Sequence, residues 1–75
     1  MAKKQNQTPN FTDANLRDLN LSQIDFGEAN FSKANLRGAN LSQANLKGAD
    51  FKKASVNEAD FTGANLSDSN LSRAN

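Results

Sequence analysis

From Phe11 to Leu71 every fifth residue is large and apolar, with seven Leu, five Phe and Val56 filling thirteen consecutive places. Two residues ahead of each such place from Leu16 on, and ahead of the next place in register after Asn75, a small residue recurs. It is Ala at ten of thirteen positions, the exceptions being Leu19, Ile24 and Ser69. Between the small and the large residue stands a short polar side chain: Asn ten times, Asp25, Asp50 and Asp60, and Ser55 once. The two remaining positions of each five are polar, charged or Gly. A period of five suits neither regular element. On an α-helix it advances each Leu/Phe by about 140° beyond a full turn, so the apolar column spirals around the axis and leaves no buried face. On a straight strand an odd period sends successive Leu/Phe residues to opposite faces.

A short extended triplet, small–polar–large, followed by two residues that turn a corner satisfies the pattern. Repeated turning in one sense closes a coil with the small and large side chains inside. At about 3.3 Å per extended residue, five residues with a rounded corner make an edge of roughly 10–12 Å. A triangle of that edge leaves an inner radius near 3 Å, too tight for Leu and Phe, whereas a square leaves roughly 5–6 Å, about their reach. The pattern therefore predicts four repeats and twenty residues per coil, with Phe11, Phe31 and Phe51 stacked on one side. The predicted core is Phe11, Leu16, Leu21, Phe26, Phe31, Leu36, Leu41, Leu46, Phe51, Val56, Phe61, Leu66 and Leu71. The Asn/Asp column is expected to bond backbone groups at the bends, and Gly38, Gly48 and Gly63 fall on corners.

Quoted as ANLRG, ANLSQ, ANLKG, ADFKK, ADFTG and ANLSD, these units resemble the pentapeptide repeat proteins, whose pattern is A(N/D)(L/F)xx. The match runs over residues 10–75, leaving 1–9 as a polar N-terminal segment. The resemblance implies an all-β fold, a right-handed quadrilateral β-helix of about three coils. Departures are Leu19 and Ile24 at the small position, Ser69, and Ser55-Val56 in place of Asn-Leu; these are expected to widen or loosen a coil locally.

Composition narrows the chemistry. The 75 residues contain no Cys and no His, which removes disulfides, thiolate nucleophiles, Cys/His zinc sites and histidine acid–base catalysis. Asp50, Glu58 and Asp60 are expected to point outward as solvated charges, and a self-filled coil offers no cleft, so the expectation is a non-enzyme without cofactor or metal. No apolar run serves as a signal-peptide core or a membrane span, and the protein is expected in the cytoplasm. Six of the seven Asn-x-Ser/Thr sequons, all but the one at Asn6, follow from the repeat itself.

Nine basic and eight acidic residues leave a net charge of +1. Some pentapeptide repeat proteins mimic duplex DNA and occupy DNA gyrase, which makes such inhibition the alternative function that the resemblance implies. Duplex DNA carries one negative charge per about 1.7 Å, so a rod about 16 Å tall needs roughly nine uncompensated carboxylates to imitate it. This chain is nearly neutral, and no stretch resembles the C-terminal dimer module expected of such a mimic. The side bearing the Phe ladder carries Lys33, Lys52, Lys53 and Arg73 against Asp13 and Asp50, the one basic stripe. These four cations are the candidate interaction residues, though without Trp, Tyr or exposed Phe they form a weak nucleic-acid footprint. The side of Leu21, Leu41 and Phe61 is almost uncharged. Residues 1–7 and Pro9 are expected to shield the first coil, while the last coil, its pattern running to Asn75, is expected to dock a second copy or another protein. The sequence thus predicts a structural or protein–protein interaction module.

Overall fold

The computed structural model describes residues 8–75. Its ladder is made of single-residue parallel bridges between positions twenty apart: Asn10 with Asn30, Asn15 with Asn35, Asn20 with Asn40, Asp25 with Asn45, and so on to Asp50 with Asn70. Four bridge columns per twenty residues make each coil four-sided, in agreement with the edge-length argument. The segment expected to shield the first coil lies mostly outside the described residues. Of its flank, Pro9 is exposed and its carbonyl accepts the Asn30 N–H at 2.9 Å.

Each repeat is bound to its neighbours in three ways. The N–H of the Leu/Phe residue donates to the Asn/Asp carbonyl of the next coil, as Phe31 does to Asp50 at 2.7 Å. The N–H of the second corner residue also donates toward the next coil, as Lys33 does to Lys52 at 2.9 Å. The N–H of the Asn/Asp residue donates in the other direction, as Asn35 does to Ala14 at 2.9 Å. A fourth bond closes the corner inside the repeat, from the small residue's N–H to the carbonyl three residues earlier, as in Ala34 to Phe31 at 3.0 Å. With two backbone donors aimed one way and one the other, the ladder is directional, and few backbone groups are left for water.

The corners have a definite conformation. The second corner residue is left-handed in every repeat, with φ between 59° and 65° at ten non-glycine positions and 69–72° at Gly38, Gly48 and Gly63. A negative φ followed by a positive one is the pattern of a type II turn. At Gly38 an added Cβ would meet the Asp18 carboxylate of the coil below, an exposed side-chain end that would have to swing aside.

The core is confined to the middle of the coil stack. Phe31, Leu36, Leu41, Leu46 and Phe51 are wholly buried and Phe26 nearly so, with Ala29, Ala34, Ala39, Ala44, Ala49 and Ala54 between them. Phe11, Leu16, Leu21, Val56, Phe61 and Leu66 are partly buried against this cluster. Leu71 departs from the expectation: it is 44 % exposed, because its ring of the coil has no further rung above it among the described residues to close over the side chain. Phe11, Phe31 and Phe51 stack with ring centroids 5.1 and 5.0 Å apart and planes within 13° and 3°. Phe26 sets its edge against this stack at 5.2 Å from Phe31. Leu19 and Ile24 occupy the small position in the first coil and are 46 % and 40 % exposed, since no earlier coil covers them among the described residues.

Candidate interaction surface

The side chains that flank each corner decide what the surface presents. The Asn/Asp column is spent on the backbone: in twelve repeats its Oδ1 accepts the N–H two residues on, at 2.8–3.3 Å. These Asx bonds satisfy the first corner N–H, which no rung reaches. The Asn residues of the repeat-derived sequons are among those so engaged. Ser55 is the exception, and the Asn57 N–H donates no such bond. Asp50 and Asp60 belong to the same column, one bonding Lys52 N–H and the other Thr62 N–H, each at 2.9 Å. Glu58 sits on another corner, so these three acids do not converge.

The outward corner positions repeat every twenty residues and therefore stack. One corner carries Asp13, Lys33, Lys53 and Arg73 in a column, with Lys52 beside it. The next carries Asp18, Gly38 and Glu58 beside Arg17 and Arg37. The third, Gln23, Gln43 and Gly63, has no charge, and the fourth bears Glu28, Gly48 and Asp68 beside Lys47. The structure thus places three of the four sequence-predicted interaction residues, Lys33, Lys53 and Arg73, in register on one edge and brings Lys52 next to them. These residues, expected along one side, lie along one corner. Ser32, Lys33, Asp50, Lys52 and Lys53 line an open groove there. A second shallow groove is lined by Asp25, Gly27, Glu28, Asn45 and Lys47, with Asn45 Nδ2 donating to Asp25 Oδ1 at 2.9 Å. Among the described residues one ion pair forms, Arg17 Nε to Asp18 Oδ2 at 3.6 Å, between two exposed side chains. No helix among the described residues is long and apolar enough to cross a membrane.

A four-sided coil with twenty residues per turn, a filled interior and an Asn/Asp ladder defines a solenoid built from five-residue units. The family model for pentapeptide repeats matches residues 10–48 and 44–75, in eight copies, and the chain belongs to that family. Several solved structures are similar. The pentapeptide repeat protein Rfr23 from the cyanobacterium Cyanothece 51142 is 36 % identical over 87 % of this chain and 48 % of its own, with a TM-score of 0.75. A pentapeptide repeat protein from the thylakoid lumen of Arabidopsis thaliana is 35 % identical over 80 % of this chain and 45 % of its own, at 0.61. HetL from Nostoc sp. PCC 7120, involved in regulating heterocyst differentiation, is 29 % identical over 87 % of this chain and 39 % of its own, at 0.53. The chain spans about half the length of these proteins or less. These likenesses imply the right-handed quadrilateral β-helix. No protein of curated function matches the sequence.

Proposed function

We propose that this protein is a non-catalytic interaction module, a rigid post whose outer side chains engage another protein within a larger cytoplasmic assembly. The observation that supports it is the closed interior. Phe31, Leu36, Leu41, Leu46 and Phe51 fill the axis with no exposed surface, so binding falls to the corners and sides, whose backbone is held by rungs of 2.7–3.1 Å. Side chains in such a frame bind with little loss of backbone freedom. The involvement of HetL in differentiation is in keeping with a regulatory contact of this kind. The N–H groups of Phe61, Leu66 and Leu71 have no backbone acceptor among the described residues and suit a further rung of whatever origin.

Isolation from native host extract under mild salt, with mass measured in solution, tests the reading. The expected result is a defined complex well above the 8.1 kDa of the chain; a free monomer at its native concentration overturns it. The gyrase alternative needs carboxylate excess. Setting aside Lys3 and Lys4, the described residues carry seven cations against eight carboxylates. A supercoiling assay is expected to show no inhibition at micromolar protein, and inhibition there would replace the interaction reading with DNA mimicry.

A further inference from the structure

The cation column is the feature that the fold itself does not use. Lys33, Lys53 and Arg73 share one position on three successive coils, left-handed with φ of 61°, 62° and 61°, so their side chains leave the corner in the same way. The backbone at this corner is tied rung to rung: Lys33 N–H to Lys52 carbonyl at 2.9 Å, Lys53 N–H to Ser72 carbonyl at 3.0 Å. Neighbouring rungs lie about 4.8 Å apart, a spacing at which like charges repel. On the corners holding Asp18 and Glu58, or Glu28 and Asp68, a glycine stands between the two carboxylates. Here nothing separates the three cations, and Lys52 adds a fourth. None of them has a carboxylate within 4.0 Å among the described residues, and the nearby Asp50 turns its Oδ1 to the Lys52 N–H at 2.9 Å.

We propose that this corner is the docking edge for an acidic segment of a partner protein, one presenting carboxylates about 5 Å apart. The proposal rests on the interaction-module reading and names the partner's chemistry. Carboxylates three and four residues apart on a helix have Cβ atoms about 5–6 Å apart, closer to the rung spacing than the roughly 6.6 Å between same-face residues of a strand. An acidic helix face laid along the coil axis therefore meets Lys33, Lys53 and Arg73 in turn. Asp13, one rung before Lys33 in the column, sets the polarity: it favours a basic residue at that end of the partner segment and disfavours an unbroken run of acids. Nucleic acid fits less well, because Phe31 and Phe51 are wholly buried and leave no ring for a base to stack on, and Asp13 and Asp50 repel phosphates.

The probe is a fluorescein-labelled helical peptide with Glu at i, i+4 and i+7 on one face, compared with its Gln counterpart and with a 16-base-pair DNA duplex, by anisotropy at low salt. Binding of the Glu peptide, weakening as salt rises, is expected. The triple variant Lys33→Gln, Lys53→Gln, Arg73→Gln is expected to lose about tenfold or more in affinity, from three exposed charge contacts. Lys47→Gln, on another corner, is expected to bind as the parent does. Circular dichroism melting of the same samples shows that the variants remain folded. Equal binding of Glu and Gln peptides, no saturable binding, an unaffected triple variant, or tighter binding of the duplex would each overturn the proposal. If the triple variant still enters the native host complex, the corner assignment fails while the module reading stands. If the parent chain forms no host complex, the module reading itself fails.

Discussion

Asp60 shows how a single side chain is bound into the repeat. The Thr62 hydroxyl first, and the Thr62 N–H at 2.9 Å second, hold its carboxyl below the ordinary carboxylate range, with slight opposition from desolvation. A depressed pKa means that the ionised form is favoured by folding. Its contribution is present above the unfolded pKa and is lost as pH falls through the lower folded value. The difference in melting temperature between the parent and Asp60→Asn is therefore expected to change below about pH 4 and to stay constant above it. A difference independent of pH from 2 to 7 would count against the bond. Ser55 is the converse case: it keeps its rungs, donating to Ala34 and accepting from Leu36, yet leaves the Asn57 N–H without an Asx partner. Ser55→Asn is expected to stabilise by about 0.5–1.5 kcal/mol, read as a higher urea midpoint. The Asx bonds were legible in the sequence, because a short polar residue before a turn has few other uses. The left-handed corners were not, since Asp, Gln, Glu, Lys and Arg occupy ten of them and Gly only three, and such residues advertise nothing. Gln43, at φ 59°, makes the point testable. Gln43→Gly is expected to be neutral to mildly stabilising, and Gln43→Val destabilising by about 1–2 kcal/mol, in thermal melts of the two variants.

At the scale of the rung, the five-residue unit buries its large residue fully only when it has neighbours on both sides. Phe31 touches Phe11, Phe51 and Phe26 at 5.1, 5.0 and 5.2 Å and is wholly buried. Phe31→Ala is expected to lose about 3–5 kcal/mol, enough to abolish a cooperative urea transition in a domain this small. Leu71→Ala, at the same repeat position but 44 % exposed, is expected to lose about 1 kcal/mol or less. Equal losses would mean that burial does not vary along the axis as the structure has it. The twenty-residue turn was legible from the spacing of Phe11, Phe31 and Phe51 together with the reach of a Phe ring inside a square. The exposure of Leu71 was not, because the repeat looks the same wherever it stands. Burial depends on a rung above and a rung below, and that is a property of position along the stack. The same holds for Leu19 and Ile24, whose bulk reads as a misfit in the pattern but falls in the first described coil, where they are 46 % and 40 % exposed and not packed in the core.

For the molecule as a whole, the direction of the ladder matters most. Each repeat sends two backbone donors toward the following coil and one toward the preceding coil, so every coil offers the next one more donors than acceptors. The period made the stacking of corners foreseeable, and with it the alignment of Lys33, Lys53 and Arg73; the direction of the bonds it could not supply, since an inward Leu and an outward Lys are compatible with either polarity. In the described structure the Leu36, Leu41 and Leu46 N–H groups are bonded to Ser55, Asp60 and Asn65 at 2.7–2.8 Å, while the N–H groups of Phe61, Leu66 and Leu71, at the same repeat position further along, have no such acceptor. If stability is the sum of repeat terms and nearest-neighbour interfaces, appending a second copy of residues 36–55 directly after Asn75, which preserves both the five- and the twenty-residue register, adds a full interface. The extended chain is expected to show a higher urea midpoint and slowed hydrogen exchange at the Phe61, Leu66 and Leu71 amides. In the parent those three should exchange far faster than the amides of Leu36, Leu41 and Leu46. An unchanged midpoint, or protection already present at Phe61 in the dilute parent, would show that the open donors are satisfied in some other way and that the ladder does not propagate by rung addition.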